Sequence, residues 1–587
     1  MPGVLRLSMK LLRGKASGVR VCLFSDKETI LETDMEFACS AGSYDVYSCE
    51  LNFESPGLYW YRFFVRAPNS ETIHVPESAG DSFQITAYAP APKTPDWIRG
   101  GLIYHVFVDR FRRGGELNLR PGAEYRPDWG GCPHYLPDNE GIVRNNDFFG
   151  GDLHGIIEKL PYLEELGVTC IYLSPVFEAA SNHKYDTGDF MRIDTAFGGD
   201  DALRSLCSKA GKRGMKIILD GVFNHVGIDS RYFNRYSSYD VQGAYQGSHS
   251  QYYDWFTFRG NGKYDAWCGI ELLPAINKSS VSYRDFICGE DGVIAHWTKN
   301  GVSGWRLDVV DELPDMFLYP LCEAMKRENA DAFIVGEVWE DASNKIAYDV
   351  RRRYFLGGQL DSVTNYPLRD AIISLVENGS AERLATVMAT LCRNYPFHVL
   401  NSLMNILGTH DTPRILTVLS GEKLPGDKKA MEHFQLDESQ LQMAKQRLKL
   451  ASTLQFTLPG VPCVYYGDEA GMQGCADPFN RRCYPWGSED PDLIAWYMTL
   501  SRIRRSHGCF MDGCYVLVEA RRGFFAFVRG EGKDRVLVAV NTTDTARSLK
   551  VDGIFNYDLL HDEYIDVPTV KPHDAGVFAV KDIGKKK

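Results

Sequence analysis

The chain has 587 residues, 44% hydrophobic and 24% charged, a composition that excludes wholesale disorder. Lys plus Arg number 65 and Asp plus Glu 77, a net charge of −12, so neither nucleic acid nor an anionic membrane is an expected partner. At roughly 100–200 residues per domain the length predicts about three to five domains, fewer if one is a large barrel.

Residues 1–96 read as short strands. The runs 19–24 and 57–65 are rich in β-branched and aromatic residues, and Gly, Ser and Asp clusters separate them. This pattern predicts a small N-terminal β-sandwich. Tyr59, Trp60 and Tyr61 supply more aromatic surface than such a sandwich needs. The first ten residues lack the apolar core of a signal peptide. A linker is predicted over 89–96, which holds Pro90, Pro92 and Pro95.

From 97 to 503 short apolar runs alternate with helical patterns. Eight runs qualify as strands: 102–107, 170–173, 217–220, 304–308, 333–337, 362–365, 404–407 and 462–466. The alternation predicts parallel βα units, and eight such units predict an α/β fold, a (β/α)8 barrel with its chemistry at the strands' carboxyl ends. The Tyr-, Ser-, Gly- and Asn-rich stretch 223–285 is too long for a plain loop and reads as an inserted subdomain. The uncharged stretch 450–467 has the length of a membrane span, but Gln455, Pro459, Gly460 and Pro462 make it a buried helix end followed by a strand. Strands return over 504–587, for example at 536–540, and predict a C-terminal β-sandwich; Lys585–Lys587 reads as a solvated tail.

The 15 cysteines are scattered and show no CxxC spacing. They predict reduced core thiols of a cytoplasmic protein rather than a zinc cluster or a disulfide framework.

Several predicted barrel strands end in acids. Asp220 closes the third, Asp308 the fourth and Glu337 the fifth, and Asp411 follows the seventh. One such acid reads as an ion pair or a helix cap. Four at equivalent strand ends converge on one mouth, where ionised carboxylates are costly unless paired. Glycosidic bond cleavage uses such acids, one protonated and one ionised. Arg306 stands two residues before Asp308, hence on the same strand face, where it would keep Asp308 ionised. Glu337 is followed by Val338 and Trp339, an apolar setting that would raise its pKa.

These segments resemble the signatures of the α-amylase family of glycoside hydrolases. Asp220-Gly221-Val222-Phe223-Asn224-His225 matches the first, Gly304-Trp305-Arg306-Leu307-Asp308 the second, Gly336-Glu337-Val338-Trp339 the third and Gly408-Thr409-His410-Asp411 the fourth. The flanking modules, Leu273-Pro274-Ala275-Ile276-Asn277 and Tyr465–Met472 resemble the neopullulanase, cyclomaltodextrinase and maltogenic-amylase branch.

The resemblance implies a retaining hydrolase of α-glucosidic bonds in cyclodextrins, maltooligosaccharides, pullulan or starch, with transglycosylation as a further outcome. It implies Asp308 as nucleophile, Glu337 as general acid/base and Asp411 as a grip on sugar hydroxyls. His225 and His410 would bind the ring, Arg306 would orient Asp308, Tyr185 would stack at the cleavage subsite and Asp220 would position the others. Trp339 and Glu312 are candidate leaving-side contacts. Relatives with such an N-terminal sandwich commonly form homodimers, which is the assembly expected here.

No cofactor is expected to be required. Phe148-Phe149-Gly150-Gly151-Asp152 resembles part of a calcium loop, with Gly151 and Asp152 as ligand positions. Its partner segment, usually rich in Asn and Asp, reads Arg110-Phe111-Arg112-Arg113-Gly114-Gly115, and arginines repel a cation, so calcium binding is expected to be weak or absent. Three alternatives stay open at this point: a non-catalytic amylase-like protein, a carbohydrate-binding scaffold, and a branching or trehalose-forming enzyme of the same family.

Overall fold

The computed structural model describes residues 3–26, 28–69, 71–78, 81–89 and 94–581. Pro90–Lys93 of the expected linker and the Lys585–Lys587 tail lie outside the described residues. The chain divides into two compact units. One gathers 1–93 with 341–360 and 389–400, and the other holds 94–340, 361–388 and 401–587. Two of the first unit's segments thus come from within the range 97–503.

In the first unit, seven antiparallel strands form the N-terminal sandwich. Its longest strand, Glu28–Ala41, pairs with Gly18–Ser25 through its first half and with Tyr44–Phe53 through its second, so one strand serves both layers. Tyr59 and Tyr61 pack against the core of Val21, Leu51, Phe53 and Phe63. Strand alternation sends Trp60 to the opposite face, where Phe24 stacks on it and the Arg351 guanidinium lies 4.7 Å from its ring. Tyr59 and Tyr61 are therefore half-buried against the core rather than spare aromatic surface.

In the second unit, the eight predicted strands are all present and form one parallel sheet. They are Ile103–Val106, Cys170–Leu173, Lys216–Gly221, Gly304–Leu307, Phe333–Gly336, Ser362–Val363, Met404–Ile406 and Val461–Tyr465, neighbours in chain order. A bridge between Thr364 and Met404 joins the sixth strand to the seventh, and the eighth pairs with the first, which closes the barrel. The interior is filled by Ile103, Tyr172, Ile218, Phe333, Val335, Ile406 and Cys463. Gly304 allows the fourth strand to approach the fifth, since a Cβ there would sit 2.3 Å from the Phe333 carbonyl oxygen.

The helix Glu438–Thr457 starts at an Asp437 cap with a reciprocal Gln440 contact, and its last eight residues are buried. With the strand Val461–Tyr465 it accounts for the uncharged stretch. Among the described residues, no helix is long and apolar enough to cross a membrane. The 223–285 stretch is built of short turns and a two-stranded hairpin, Phe258–Gly260 with Lys263–Tyr264. Bridges from His225 to Ala275 and from Phe256 to Ile276 tie it together. At the C-terminus a six-stranded antiparallel sheet packs around Phe524, Leu537, Phe555 and Phe578, and a two-stranded ribbon joins Arg547–Ser548 to Thr569–Val570.

Candidate active site

The barrel's inward alternation places the acids. Ile218 and Val335 point into the core, so Asp220 and Glu337, two residues on, point the same way at the mouth. Strand register sets Asp220 beside Arg306 and Arg306 beside Val335. Arg306 consequently lies among three carboxylates. Its Nη1 donates to Asp220 at 2.9 and 3.1 Å and to Asp308 Oδ1 at 2.8 Å, and its Nη2 lies 3.0 Å from Glu337 Oε1. All four side chains are buried.

The electrostatics differ from the sequence expectation. Arg306 does lie on Asp308, but it is shared. Burial pushes the Asp308 carboxyl well above the usual carboxylate range, with Arg306 opposing, and burial also raises Asp220. One guanidinium cannot neutralise three carboxylates, so the cluster favours holding a proton. Nor is the setting of Glu337 apolar. Its Oε1 accepts from the Trp339 indole N–H at 3.2 Å as well as meeting Arg306, and its Oε2 accepts from the Val309 amide at 2.9 Å. Trp339 turns its polar edge to the acid, stacks on Tyr366 at 4.1 Å and leaves 48% of its surface exposed.

Tyr185 closes the other side. Its hydroxyl lies 2.9 Å from Asp220 Oδ2 and 2.6 Å from His410 Nε2, and its ring lies nearly parallel to the His410 ring. His410 Nε2 also stands 3.2 Å from Asp411 Oδ2. Asp411 is the exposed acid of the group. His225 stacks on Trp267 at 4.8 Å. Burial lowers His410 well below the usual imidazole range and His225 to about 3, so both rings are neutral at ordinary pH. The Nε2 of His225 and the Nδ1 of His410 are buried without a hydrogen-bond partner among the described residues, a capacity that ligand hydroxyls can use. Glu312 sits farther out, in the turn Val310–Glu312, and its charge acts on Lys278, which donates to Asn224 at 2.7 Å.

Gly151 and Asp152 do not fit the expected metal role. Asp152 caps the helix Leu153–Leu166, its Oδ1 accepting from Gly155 at 2.7 Å and its Oδ2 from Gly115 at 2.7 Å and Gly114 at 3.3 Å. Gly151 packs against backbone, since a Cβ there would meet the Val108 carbonyl oxygen at 2.3 Å. The Arg113 guanidinium donates to the Phe149 and Arg126 carbonyls, each at 2.7 Å, and lies between the Tyr125 and Trp129 rings at 5.3 and 5.1 Å. The Asp152 oxygens that a cation would need already accept backbone N–H groups, and the Arg113 guanidinium is held to the neighbouring Phe149 carbonyl.

Four contributors escape the sequence reading. Tyr172 donates to Asp220 at 2.5 Å, Val309 supplies its amide, Tyr366 backs Trp339, and Arg481 reaches Asp411 at 3.4 Å and the His410 carbonyl at 2.9 Å. Tyr172 could have been found, since it shares the inward face of a predicted strand. Arg481 carries no local signal.

The chain is thus an eight-stranded parallel α/β barrel with buried acids and an arginine gathered at its mouth. The profile of the alpha-amylase catalytic domain matches residues 105–501, and the chain belongs to the alpha-amylase family. It is 35% identical to an amylopullulanase of Thermoanaerobacter thermohydrosulfuricus over 87% of this chain and 38% of that one. It is 32% identical to neopullulanase 2 of Thermoactinomyces vulgaris over 90% of this chain and 87% of that one. The chain spans 33% to 48% of the length of three amylopullulanases among the relatives it matches. Among solved structures, the type III pullulan hydrolase from Thermococcus kodakarensis superposes with a TM-score of 0.70 at 26% identity, covering 98% of this chain and 97% of that one.

Proposed function

We propose that this chain is a retaining hydrolase of α-glucosidic bonds. The observation that carries the reading is the single guanidinium of Arg306 shared by Asp220, Asp308 and Glu337. Glu337 gives its proton to the glycosidic oxygen as Asp308 attacks the anomeric carbon, and the leaving sugar departs with that proton. The bond to oxygen breaks and a glycosyl ester on Asp308 forms. Glu337, now ionised, takes a proton from water, whose oxygen attacks the same carbon and releases Asp308. Two inversions return the α configuration. A sugar hydroxyl in place of water gives transglycosylation.

Asp220, to which the Tyr172 hydroxyl donates, holds Arg306, and Arg306 positions the nucleophile. Asp411, His410 and His225 bind ring hydroxyls, and Tyr185 supplies the flat surface beside them. Trp339 and Glu312 meet the leaving side. Cyclodextrins, maltooligosaccharides, pullulan and starch are the proposed substrates. The names cyclomaltodextrinase, neopullulanase and amylopullulanase among the relatives support that choice. No cofactor takes part in this scheme. The 15 cysteines, scattered and without CxxC spacing, support a cytoplasmic enzyme, and we take its assembly to be a homodimer, which light scattering tests.

The test compares products from β-cyclodextrin, pullulan and soluble starch, with the anomer followed by NMR. The α anomer is expected first, and Asp308→Asn and Glu337→Gln are each expected to lower turnover at least about a hundredfold while folding normally. An inverted product, or near-normal activity of either variant, overturns the assignment.

A further inference from the structure

His105 lies on the first barrel strand, Ile103–Val106, and takes no part in the proposed chemistry. Strand register sets it between Tyr172 of the second strand and Tyr465 of the eighth. Like Ile103, two residues earlier, it points into the barrel, and it is buried. Its ring stacks on the Tyr172 ring at 4.2 Å with 21° between the planes, meets the His410 ring edge-on at 5.2 Å and lies 5.0 Å from the Tyr465 ring. One polar contact fixes its rotation. Its Nε2 lies 2.9 Å from Ser174 Oγ, and the Ser174 amide is itself tied to the Val106 carbonyl at 3.0 Å.

Two rings packed against His105 lead to the same carboxylate. Asp220 Oδ2 accepts from the Tyr172 hydroxyl at 2.5 Å and from the Tyr185 hydroxyl at 2.9 Å. Tyr172 rests on the flat face of His105, and Tyr185 is held by His410, whose Nε2 lies 2.6 Å from its hydroxyl and whose ring meets the edge of His105. Asp220 in turn holds Arg306, which donates to Asp308. A phenol can donate along a fixed line only while its ring is kept in place. An aliphatic side chain at 105 would fill the space without a flat face and without a partner for Ser174. Burial, and after it His410 and the Arg306, Arg414 and Arg481 guanidinium groups, lower the His105 pKa well below the usual imidazole range, so the ring is neutral and packs as an aromatic.

We infer that His105 is a positioning residue for the acid cluster: its ring, set by Ser174, orients the two tyrosine hydroxyls on Asp220, and through Asp220 and Arg306 it fixes the place of Asp308. The inference rests on the proposed hydrolase reading. It adds a residue below the mouth that acts on the nucleophile without touching a reacting atom.

The test measures kcat and KM for maltoheptaose with the intact enzyme, His105→Phe, Ser174→Ala, Tyr172→Phe, and each of the first two combined with Tyr172→Phe. His105→Phe keeps a ring but loses the bond to Ser174, and Ser174→Ala removes the same bond from its other end. The serine variant loses one hydroxyl only, so it decides the matter even if His105→Phe fails to fold, which circular dichroism reads. Each is expected to lower kcat about tenfold, less than the roughly hundredfold cost of misplacing a group by about 1 Å. The loss falls on kcat rather than KM, because Asp308 acts in the chemical step. In the Tyr172→Phe background each is expected to add less than it costs alone, since one of the hydroxyls it orients is already gone. A folded Ser174→Ala with normal kcat, or losses that multiply in full with that of Tyr172→Phe, overturns the role of His105 while the hydrolase reading stands. An intact enzyme that does not cleave maltoheptaose overturns both.

Discussion

The backbone amide of Val309 donates to Glu337 Oε2 at 2.9 Å, from a left-handed conformation with φ 39° and ψ 53°. A β-branched residue is rarely found there, and such strain persists only where the surroundings enforce it. The turn after Asp308 is held so that the strand of the proposed nucleophile supplies a donor to the proposed acid/base.

Val309→Gly can adopt this backbone without strain, and its lost side chain and added chain entropy offset the relief. Its melting temperature is expected to stay within a few degrees of the parent. Val309→Pro fixes φ near −65° and removes the N–H, and is expected to lower kcat at least about a hundredfold. Circular dichroism and steady-state kinetics check the pair. Equal kcat for the proline and glycine variants would refute a role for the amide.

The acidity of Asp308 sets a pH dependence. In the proposed mechanism the carboxyl must be ionised to attack, and burial raises its pKa, so activity is expected to appear as pH rises through a value above the ordinary carboxylate range. The acid limb of kcat/KM is therefore expected above about pH 4. Arg306 opposes the burial effect, and Arg306→Lys, which cannot bridge three carboxylates, is expected to move the limb further upward. A limb at or below the ordinary value, or one that the substitution moves down, contradicts this.

The Asp152 carboxylate is taken up by backbone amides, and the Arg113 guanidinium is fixed to the Phe149 and Arg126 carbonyls of the same loop region. Melting temperature and activity are expected to change little with EDTA or added calcium. Arg113→Ala is expected to cost about 2–3 kcal/mol, on the order of one or two hydrogen bonds to a charged group. Scanning calorimetry with and without chelator decides. A large loss in EDTA that calcium restores would show a site elsewhere or a different arrangement of this loop.

His561 predicts a pH-dependent stability in the C-terminal sheet. Its Nδ1 lies 2.8 Å from Asp558 and its Nε2 3.4 Å from Asp574, and these carboxylates raise its pKa to about 10. The folded value exceeds the unfolded value near 6.5, so the contribution is complete below that pH and is lost as pH rises through about 10. The ring is partly exposed, which reduces the effect to about 1–2 kcal/mol. Urea titrations of His561→Ala are expected to show that deficit at pH 6 and almost none at pH 10.5. A deficit independent of pH would assign His561 a packing role only.

Some of this was legible along the chain because the signals are local. Apolar runs of strand length, each followed by a helical pattern, located all eight barrel strands, and an acid at the end of a run located Asp220, Asp308 and Glu337. Alternation told that Arg306 and Asp308 share a face, and that Trp60 and Tyr59 do not. It did not tell which face of the sandwich packs on its core, because that depends on which strands cover it; Tyr59 lies half-buried against the core and Trp60 beneath Arg351.

What the tertiary structure decided is the company each group keeps. Arg481 meets Asp411 across 70 residues of chain, and Tyr172 meets Asp220 across 48. Pairing of the second and third strands brings Tyr172 to Asp220, and folding of the segment after the eighth strand brings Arg481 to Asp411. The sharing of Arg306 among three acids depends on the register of adjacent strands, and the polar setting of Glu337 on a strained turn and on the orientation of one indole. Asp152 and Arg113 could be read as ligand and repellent in the sequence, but their oxygens and N–H groups found backbone partners in the folded loop. Residue type sets what a side chain can bond to, and the distances set by chain closure decide which partner it meets.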